Sequence, residues 1–387
     1  MASARRRVVV LGSTGSIGRA ALEVAQANPD AFEVVGLSAR ANVSLLAEQA
    51  RLHGVNDVAI ADGTVPEGAL PPHVAVGVGP DALASLASRD GVDLVVNALV
   101  GASGLRPALE ALRAGKRLAL ANKESLVAAG HLLVEAAAES GAEIVPIDSE
   151  HSALFRCLRG MDRREVAGVV LTASGGPLRD VAAGELEEVA VERVLDHPTW
   201  SMGEKVTVDS ATLVNKGLEV VEAHWLFGLP YDRVDVVVHR QSIVHSLVRL
   251  VDGSFLAQLG VPDMRVPIQY AMFYPDPPAV AFDSLPASGL GTLTFEPVDT
   301  RRYPCFELVT EAARGGGLAP AVVATADEVA VGAFVRGRIR FGAIPTVIER
   351  TLAATDVGDG DDLESVLEAE AKAGRNAERI VEELADD

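Results

Sequence analysis

Two carboxylates stand two residues apart around a serine in "PIDSEH", Pro146 to His151, which follows a short apolar run. In an extended chain, residues i and i+2 point to one side, so Asp148 and Glu150 face a common ion. If a helix opens at His151 instead, Ser149 is its cap and the acids sit near its positive end. Both readings fit the stretch on its own. A third carboxylate comes from "VDSATLVNKGLEVVEAHW", where Asp209 or Ser210 is the expected N-cap of a helix. Along it Asn215, Glu219 and Glu222 recur at i, i+4 and i+7, with Leu218, Val221 and Trp225 as the apolar stripe. An all-oxygen set of Asp148, Glu150 and Glu219, completed by water or substrate, suits Mg2+ or Mn2+ better than zinc. The rival is an acid/base group, because three acids without a metal repel one another and raise one pKa.

Other residues suit anions. The stretch Gly12-Ser13-Thr14-Gly15-Ser16-Ile17-Gly18 follows the apolar run Val8–Leu11 and opens a helical pattern. Its glycines let a backbone approach a pyrophosphate while the helix N-terminus offers N–H groups; the plainer alternative is an ordinary strand-to-helix turn. After the second apolar run stands Arg40 where an NAD enzyme usually carries an acid, which favours the 2′-phosphate of NADP over a merely solvated arginine. Only five lysines occur among 34 basic residues, and two of them, Lys123 and Lys216, follow an asparagine in "ANKES" and "VNKGLE". Such a compact point charge suits a phosphate or a developing oxyanion, although a surface role is the ordinary use of lysine. Ser174 in "TASGGP", Ser210, Asn215 and Lys216 are donors for a phosphate group. "HPTWSMG" places His197, Trp200 and Met202 in a loop that fits a lid excluding water from hydride transfer, unless Trp200 is a core anchor.

These groups need elements to hold them. From Arg7 to about Pro146, six short apolar runs alternate with helical stretches, the pattern of strands buried on both faces in a parallel, Rossmann-like α/β sheet. Residues 148–274 read as a central α+β domain, with "DG" at a hairpin turn and the strands of "RVDVVVHRQSIVHSLVRL" side by side. Residues 275–303 are rich in Pro, Gly and Ser and read as a linker; residues 304–387 hold four Ala-rich helical pieces, a small bundle. The first domain is thus expected at 1–147.

Composition excludes some classes. A formal charge of −20 over 387 residues argues against a nucleic-acid surface. Cys157 and Cys305 are far apart without metal-ligand spacing, which argues against a disulfide scaffold. The apolar run after the N-terminal arginines is too short for a signal peptide, and no segment suits a membrane span, so a cytoplasmic protein is expected. A metal-dependent NADP dehydrogenase of another substrate and a non-catalytic dinucleotide sensor are the rival readings of the whole.

"GSTGSIG", "ANKES", "PIDSEHSALFRCL", "TASGGP", "HPTWSMGEKVTVDSATLVNKGLE", "QSIVHSLV", "GSFLAQLGVPDMRVPI" and "TADEVAVGAFVRGRI" together resemble the 1-deoxy-D-xylulose-5-phosphate reductoisomerase family over nearly the full length. The resemblance implies a homodimer that uses NADPH and Mg2+ or Mn2+ to convert a phosphorylated sugar, 1-deoxy-D-xylulose 5-phosphate, to 2-C-methyl-D-erythritol 4-phosphate in the non-mevalonate isoprenoid pathway. It implies Asp148, Glu150 and Glu219 as metal ligands, and Ser174, Ser210, Asn215 and Lys216 as the phosphate set with His197 close by. Ser149, Lys216 and His245 would hold substrate oxygens, and Trp200 and Met202 belong to the closing loop. Thr14, Gly15, Ser16, Ile17, Ala98, Asn122, Glu124, Gly203 and Met264 resemble cofactor contacts, joined by Arg40 and Asn42, with Lys123 between cofactor and substrate. Lys123, Glu150, His197, Lys216 and His245 form the implied catalytic group. Two departures stand out: Arg40-Ala41-Asn42 where the family often has Gly-Lys-Asn, and Arg240 where it has proline.

Overall fold

The run Val8–Leu11 is fully buried, as a strand covered on both faces must be. The computed structural model describes residues 5–66, 68–200, 202–278, 282 and 284–385. The first part of the chain runs β1 (Arg6–Leu11), α1 (Ser16–Ala27), β2 (Phe32–Ala39), α2 (Val43–His53), β3 (Asp57–Ile60), β4 (Ala75–Val78), α3 (Pro80–Ser88), β5 (Leu94–Asn97), α4 (Leu105–Arg113), β6 (Arg117–Leu120), α5 (Lys123–Ser140), β7 (Ile144–Pro146) and α6 (Ser149–Leu158). It continues with β8 (Val166–Ala173), α7 (Val191–Leu195), α8 (Glu204–Thr212), α9 (Val214–Phe227), β9 (Val234–Val238), β10 (Val244–Leu250), β11 (Phe255–Leu259), α10 (Arg265–Phe273) and β12 (Glu296–Pro297). Helices α11 (Pro304–Gly315), α12 (Ala319–Val335), α13 (Ile344–Ala354) and α14 (Leu363–Ala385) follow, matching the four helical pieces read from the sequence.

Two compact units interleave along the chain. The first takes residues 1–125, 131–152 and 263–282, and its sheet has the order β4-β3-β2-β1-β5-β6-β7 with every pair parallel. The chain leaves β1 toward β2 on one side and returns as β5 on the other, so a switch point lies at the carboxyl end of β1. Six of these strands were legible as apolar runs. The seventh, β4, was not, because "AVGV" is short and mostly exposed at the sheet edge. Helix α10 joins this unit: Phe273 meets Phe32 edge to face at 4.7 Å, and Arg6 donates to the carbonyl of Met272 at 2.7 Å.

The second unit takes residues 126–130, 153–262 and 283–387. Its sheet has the order β11-β10-β8-β9-β12. β10 and β11 form the expected hairpin, turning at Asp252-Gly253, where Gly253 has φ 88°. The expectation that β9 and β10 lie side by side is corrected: β8 runs between them, parallel to β9 and antiparallel to β10. The linker reading of 275–303 also needs correction, since β12 falls inside it and pairs antiparallel with β9. Part of that segment, residues 279–281 and 283, lies outside the described residues.

One core of this unit joins Val208, Leu218 and Val221 to Val309, Val323 and Ile348. Leu218 and Val221 are buried and Trp225 is partly so, as the stripe required. Helices α9 and α11 meet closely at Gly217, where a Cβ would lie 2.8 Å from Val309. Helix α8 is tied to α12 by charge: Lys205 donates to Asp209 at 2.6 Å and to Asp327 at 2.9 Å, and both aspartates are buried. Asp209 and Ser210 therefore lie inside a helix and cap nothing. The break comes at Leu213, a non-glycine residue with φ 57° that separates α8 from α9. The sequence shows no Gly or Pro there to announce it.

Candidate active site

The glycine turn after β1 is built for close approach. A Cβ on Gly18 would lie 2.2 Å from the carbonyl oxygen of Gly12, and one on Gly12 would lie 2.5 Å from that of Ala98. Ser13, which the sequence reading passed over, fixes this turn from below. Its hydroxyl donates to Gln49 at 2.7 Å and its carbonyl accepts from Gln49 at 2.9 Å, while Ser38 accepts from the Gly12 N–H at 3.0 Å. Thr14 and Ile17 are half-buried, and Gly15 and Ser16 are exposed at the start of α1. Gly15 is the N-cap, and with no side chain there and no acid in the first turn the leading N–H groups suit an anion. These residues fit a dinucleotide pyrophosphate.

Other expected cofactor residues carry structural tasks as well. Asn42 accepts from the Leu45 N–H and caps α2, and Arg40 pairs with Asp62 at 2.8 Å with both side chains exposed. The amide of Asn122 is buried; it donates to the carbonyls of Leu99 and Gly101 and to Glu124, and it caps α5 through Ser125. Met264 is half-buried at the N-cap of α10.

The acids of the first unit sit where β7 gives way to α6. Lys123 Nζ lies 2.9 Å from Asp148, and Asp148 and Glu150 each offer an oxygen within 4.8 Å of the other. They do so without the strand alternation first invoked, because α6 already begins at Ser149. The cap reading is corrected too: Ser149 is itself the first residue of α6 and its hydroxyl donates to Glu150, while the Ser152 N–H makes the helical bond to the main-chain carbonyl of Asp148 at 2.8 Å.

In the second unit, Lys216 is buried and donates to the carbonyl of Thr172 at 2.6 Å and to Glu219. Asn215 donates to the other oxygen of Glu219, one turn away. Two such donors hold that carboxylate as an anion, and a charged, all-oxygen donor set fits a hard divalent ion. Beyond Thr172 the strand ends in the turn Ser174-Gly175-Gly176. Gly176 passes so close to α8 that a Cβ would lie 2.3 Å from the carbonyl of Ser210, which sets the turn against the end of α8.

Ser174 Oγ lies 3.0 Å from His197 Nε2. His197 Nδ1 accepts from the N–H groups of Thr199 and Trp200, so the ring proton is on Nε2 and points at Ser174. Burial, helped by the charge of Arg179, lowers the His197 pKa to about 4, which makes it a neutral donor at ordinary pH. Trp200 stands 6.2 Å from the buried ring of His245, centroid to centroid. Met202 is half-buried and Gly203 is the exposed N-cap of α8; Ser201 between Trp200 and Met202 lies outside the described residues. Arg240, the residue replacing proline, pairs with Asp180 at 2.6 Å and Glu296 at 3.1 Å, so an ion pair now pins the turn before Ser242.

Three family models match the chain: 1-deoxy-D-xylulose 5-phosphate reductoisomerase at residues 8–130 and two forms of its C-terminal domain at 144–227 and 259–376. The reductoisomerase of Nocardia farcinica is 53% identical over 97% of this chain and 94% of its own length. That of Pelotomaculum thermopropionicum is 47% identical over 98% and 99%. The chain belongs to this reductoisomerase family. Its fold agrees: the Zymomonas mobilis reductoisomerase in complex with NADPH, 39% identical, superimposes with a TM-score of 0.89 over 98% of this chain and 99% of that one. A family structure in complex with NADPH, fosmidomycin and magnesium, 36% identical, gives 0.92 over 97% and 98%. Among the described residues no helix is long and apolar enough to cross a membrane.

Proposed function

We propose that this chain isomerises and reduces 1-deoxy-D-xylulose 5-phosphate to 2-C-methyl-D-erythritol 4-phosphate as an NADPH- and divalent-metal-dependent oxidoreductase. The observation that carries it is the buried Lys216–Glu219 pair, with the half-buried Asn215 bonded to it, in a chain of this family, which joins an anion donor to a charge-held carboxylate. When bound, the metal supplies Lewis acidity at the substrate carbonyl and the dinucleotide supplies the hydride. Asp148, Glu150 and Glu219 hold that metal. Ser174, Ser210, Asn215 and Lys216 hold the remote phosphate, with the neutral His197 donating beside them. Its binding closes Trp200 and Met202 over the substrate, so a group that does not react contributes to rate by excluding water and fixing position. Ser149, Lys216 and His245 orient the substrate oxygens while the carbon skeleton breaks and rejoins as a branched aldehyde.

The dinucleotide contacts are Thr14, Gly15, Ser16, Ile17, Arg40, Asn42, Ala98, Asn122, Glu124, Gly203 and Met264, with Lys123 toward the substrate. The protein works as a cytoplasmic homodimer in isoprenoid precursor synthesis. The edge strand β11 supports the dimer, for Phe255, Leu256 and Leu259 stand exposed on it. Two free cysteines, Cys157 and Cys305, suit a reducing compartment. The test follows NADPH absorbance with the deoxyxylulose phosphate in Mg2+ and then in chelator. Oxidation that needs both substrate and metal is expected; folded protein that oxidises no NADPH with this substrate would sink the reading.

A further inference from the structure

We propose that Arg179 is a positioning residue of the phosphate pocket: it clamps the turn that carries Ser174 and adds a second positive charge to that of Lys216. This rests on the reading that Ser174 and His197 bind the substrate phosphate. Arg179 Nη1 donates to the carbonyl of Ser174 at 2.9 Å and to that of Arg240 at 3.2 Å, so one guanidinium ties the end of β8 to the turn after β9. Its aliphatic stem lies along the Gly175 backbone, where a Cβ would come within 3.2 Å of it. Glycine at 175, with φ 83°, is thus required both by conformation and by the arginine packed on it.

His197 brings no charge to the pocket. Its Nδ1 is occupied by two backbone N–H groups, so the imidazole meets an anion as a dipole and not as a cation. Arg179 lies near enough for its charge to disfavour protonation of that ring. A pocket for a phosphate dianion then has two cations to draw on: Lys216, whose ammonium already pairs with Glu219, and Arg179, which cannot lose its proton. The competing anion is Asp180, 3.6 Å from Arg179, but its carboxylate is largely exposed and takes the shorter bond from Arg240. Arg240, more than Arg179, thus compensates Asp180.

Steady-state kinetics of Arg179→Met and Arg179→Lys, beside Ser174→Ala, test the proposal with inorganic phosphate as a competing probe. Arg179→Met should raise the KM for substrate and weaken phosphate inhibition by about ten- to a hundredfold, the size for losing a charged hydrogen-bonding group. Arg179→Lys should recover part of this, NADPH affinity should stay within about twofold, and the two losses should be less than additive in Ser174→Ala/Arg179→Met. The His197 ring in Arg179→Met should titrate nearer its ordinary pKa by NMR. Unchanged KM and phosphate inhibition in folded Arg179→Met, or an equal loss of NADPH binding, would overturn the role of Arg179. If Ser174→Ala itself leaves KM unchanged, the phosphate reading fails first and the Arg179 inference with it.

Discussion

Lys216 and Glu219 stand three residues apart on α9, and the buried ammonium of the first holds both the carboxylate of the second and the carbonyl of Thr172. Neutralising Glu219 therefore removes a proposed metal ligand and takes the paired negative charge from a buried ammonium. Glu219→Gln should weaken Mg2+ binding by more than about a hundredfold, beyond the loss typical of a residue behind the ligands. Stability should fall by about 1–3 kcal/mol. Isothermal titration with the metal and with NADPH checks this: a matching loss of NADPH affinity would count against the metal role.

Gly18 presses on Gly12 across the cofactor turn, with 2.2 Å left for a Cβ against a backbone oxygen. Backbone cannot swing aside as a flexible side chain does. Gly18→Ala should cost about 1–3 kcal/mol of stability. About two- to tenfold of NADPH affinity goes with it if half of that strain falls on the turn. Thermal denaturation with and without NADPH separates the two effects.

His197 gives a pH dependence whose sign is fixed. Its folded pKa, about 4, lies below the ordinary imidazole value of 6.5, so the unfolded chain binds more protons between these values. The contribution is present above pH 6.5 and is lost as pH falls through about 4. Melting temperatures measured across that interval should fall less steeply for His197→Gln than for the parent. Parallel curves would show that the ring does not titrate as its surroundings dictate.

The exposed apolar edge of β11 makes a prediction about assembly. A charge on that strand, as in Leu256→Lys, should shift sedimentation from a dimer toward the single chain while the circular dichroism of the protomer is kept. A parent protein that sediments as a single chain at all concentrations would remove the dimer from the proposal.

Much of the fold was legible because its signals were local. Buried parallel strands print themselves as apolar runs, and α1 is announced by glycines. The helix carrying Glu219 was legible for the same reason, as a stripe with polar residues at fixed spacing. What escaped depended on tertiary contact. Leu213 takes a left-handed conformation with no residue type to advertise it. β12 is two residues long and is a strand only because β9 lies beside it. Arg179 looks like any surface arginine until the turn after β9 is placed against it. Ser13 was hidden for another reason: in a glycine motif attention goes to the glycines, and the buried hydroxyl holding them is read as filler.

The segment around β12 has a consequence for how the chain can be divided. Thr294 accepts from His239 and bonds to Gln241, Phe295 stacks on His239 at 4.7 Å between centroids, and Glu296 receives Arg240. The residues just before it, 284–292, are exposed or half-buried and form no strand. A protease cutting there would sever the backbone yet release nothing, because the downstream piece stays fastened at 294–297 and again where α11 meets α9. The two pieces, roughly three quarters and one quarter of this polypeptide, should accordingly stay together after such a cut, a nicked protein held by its own sheet.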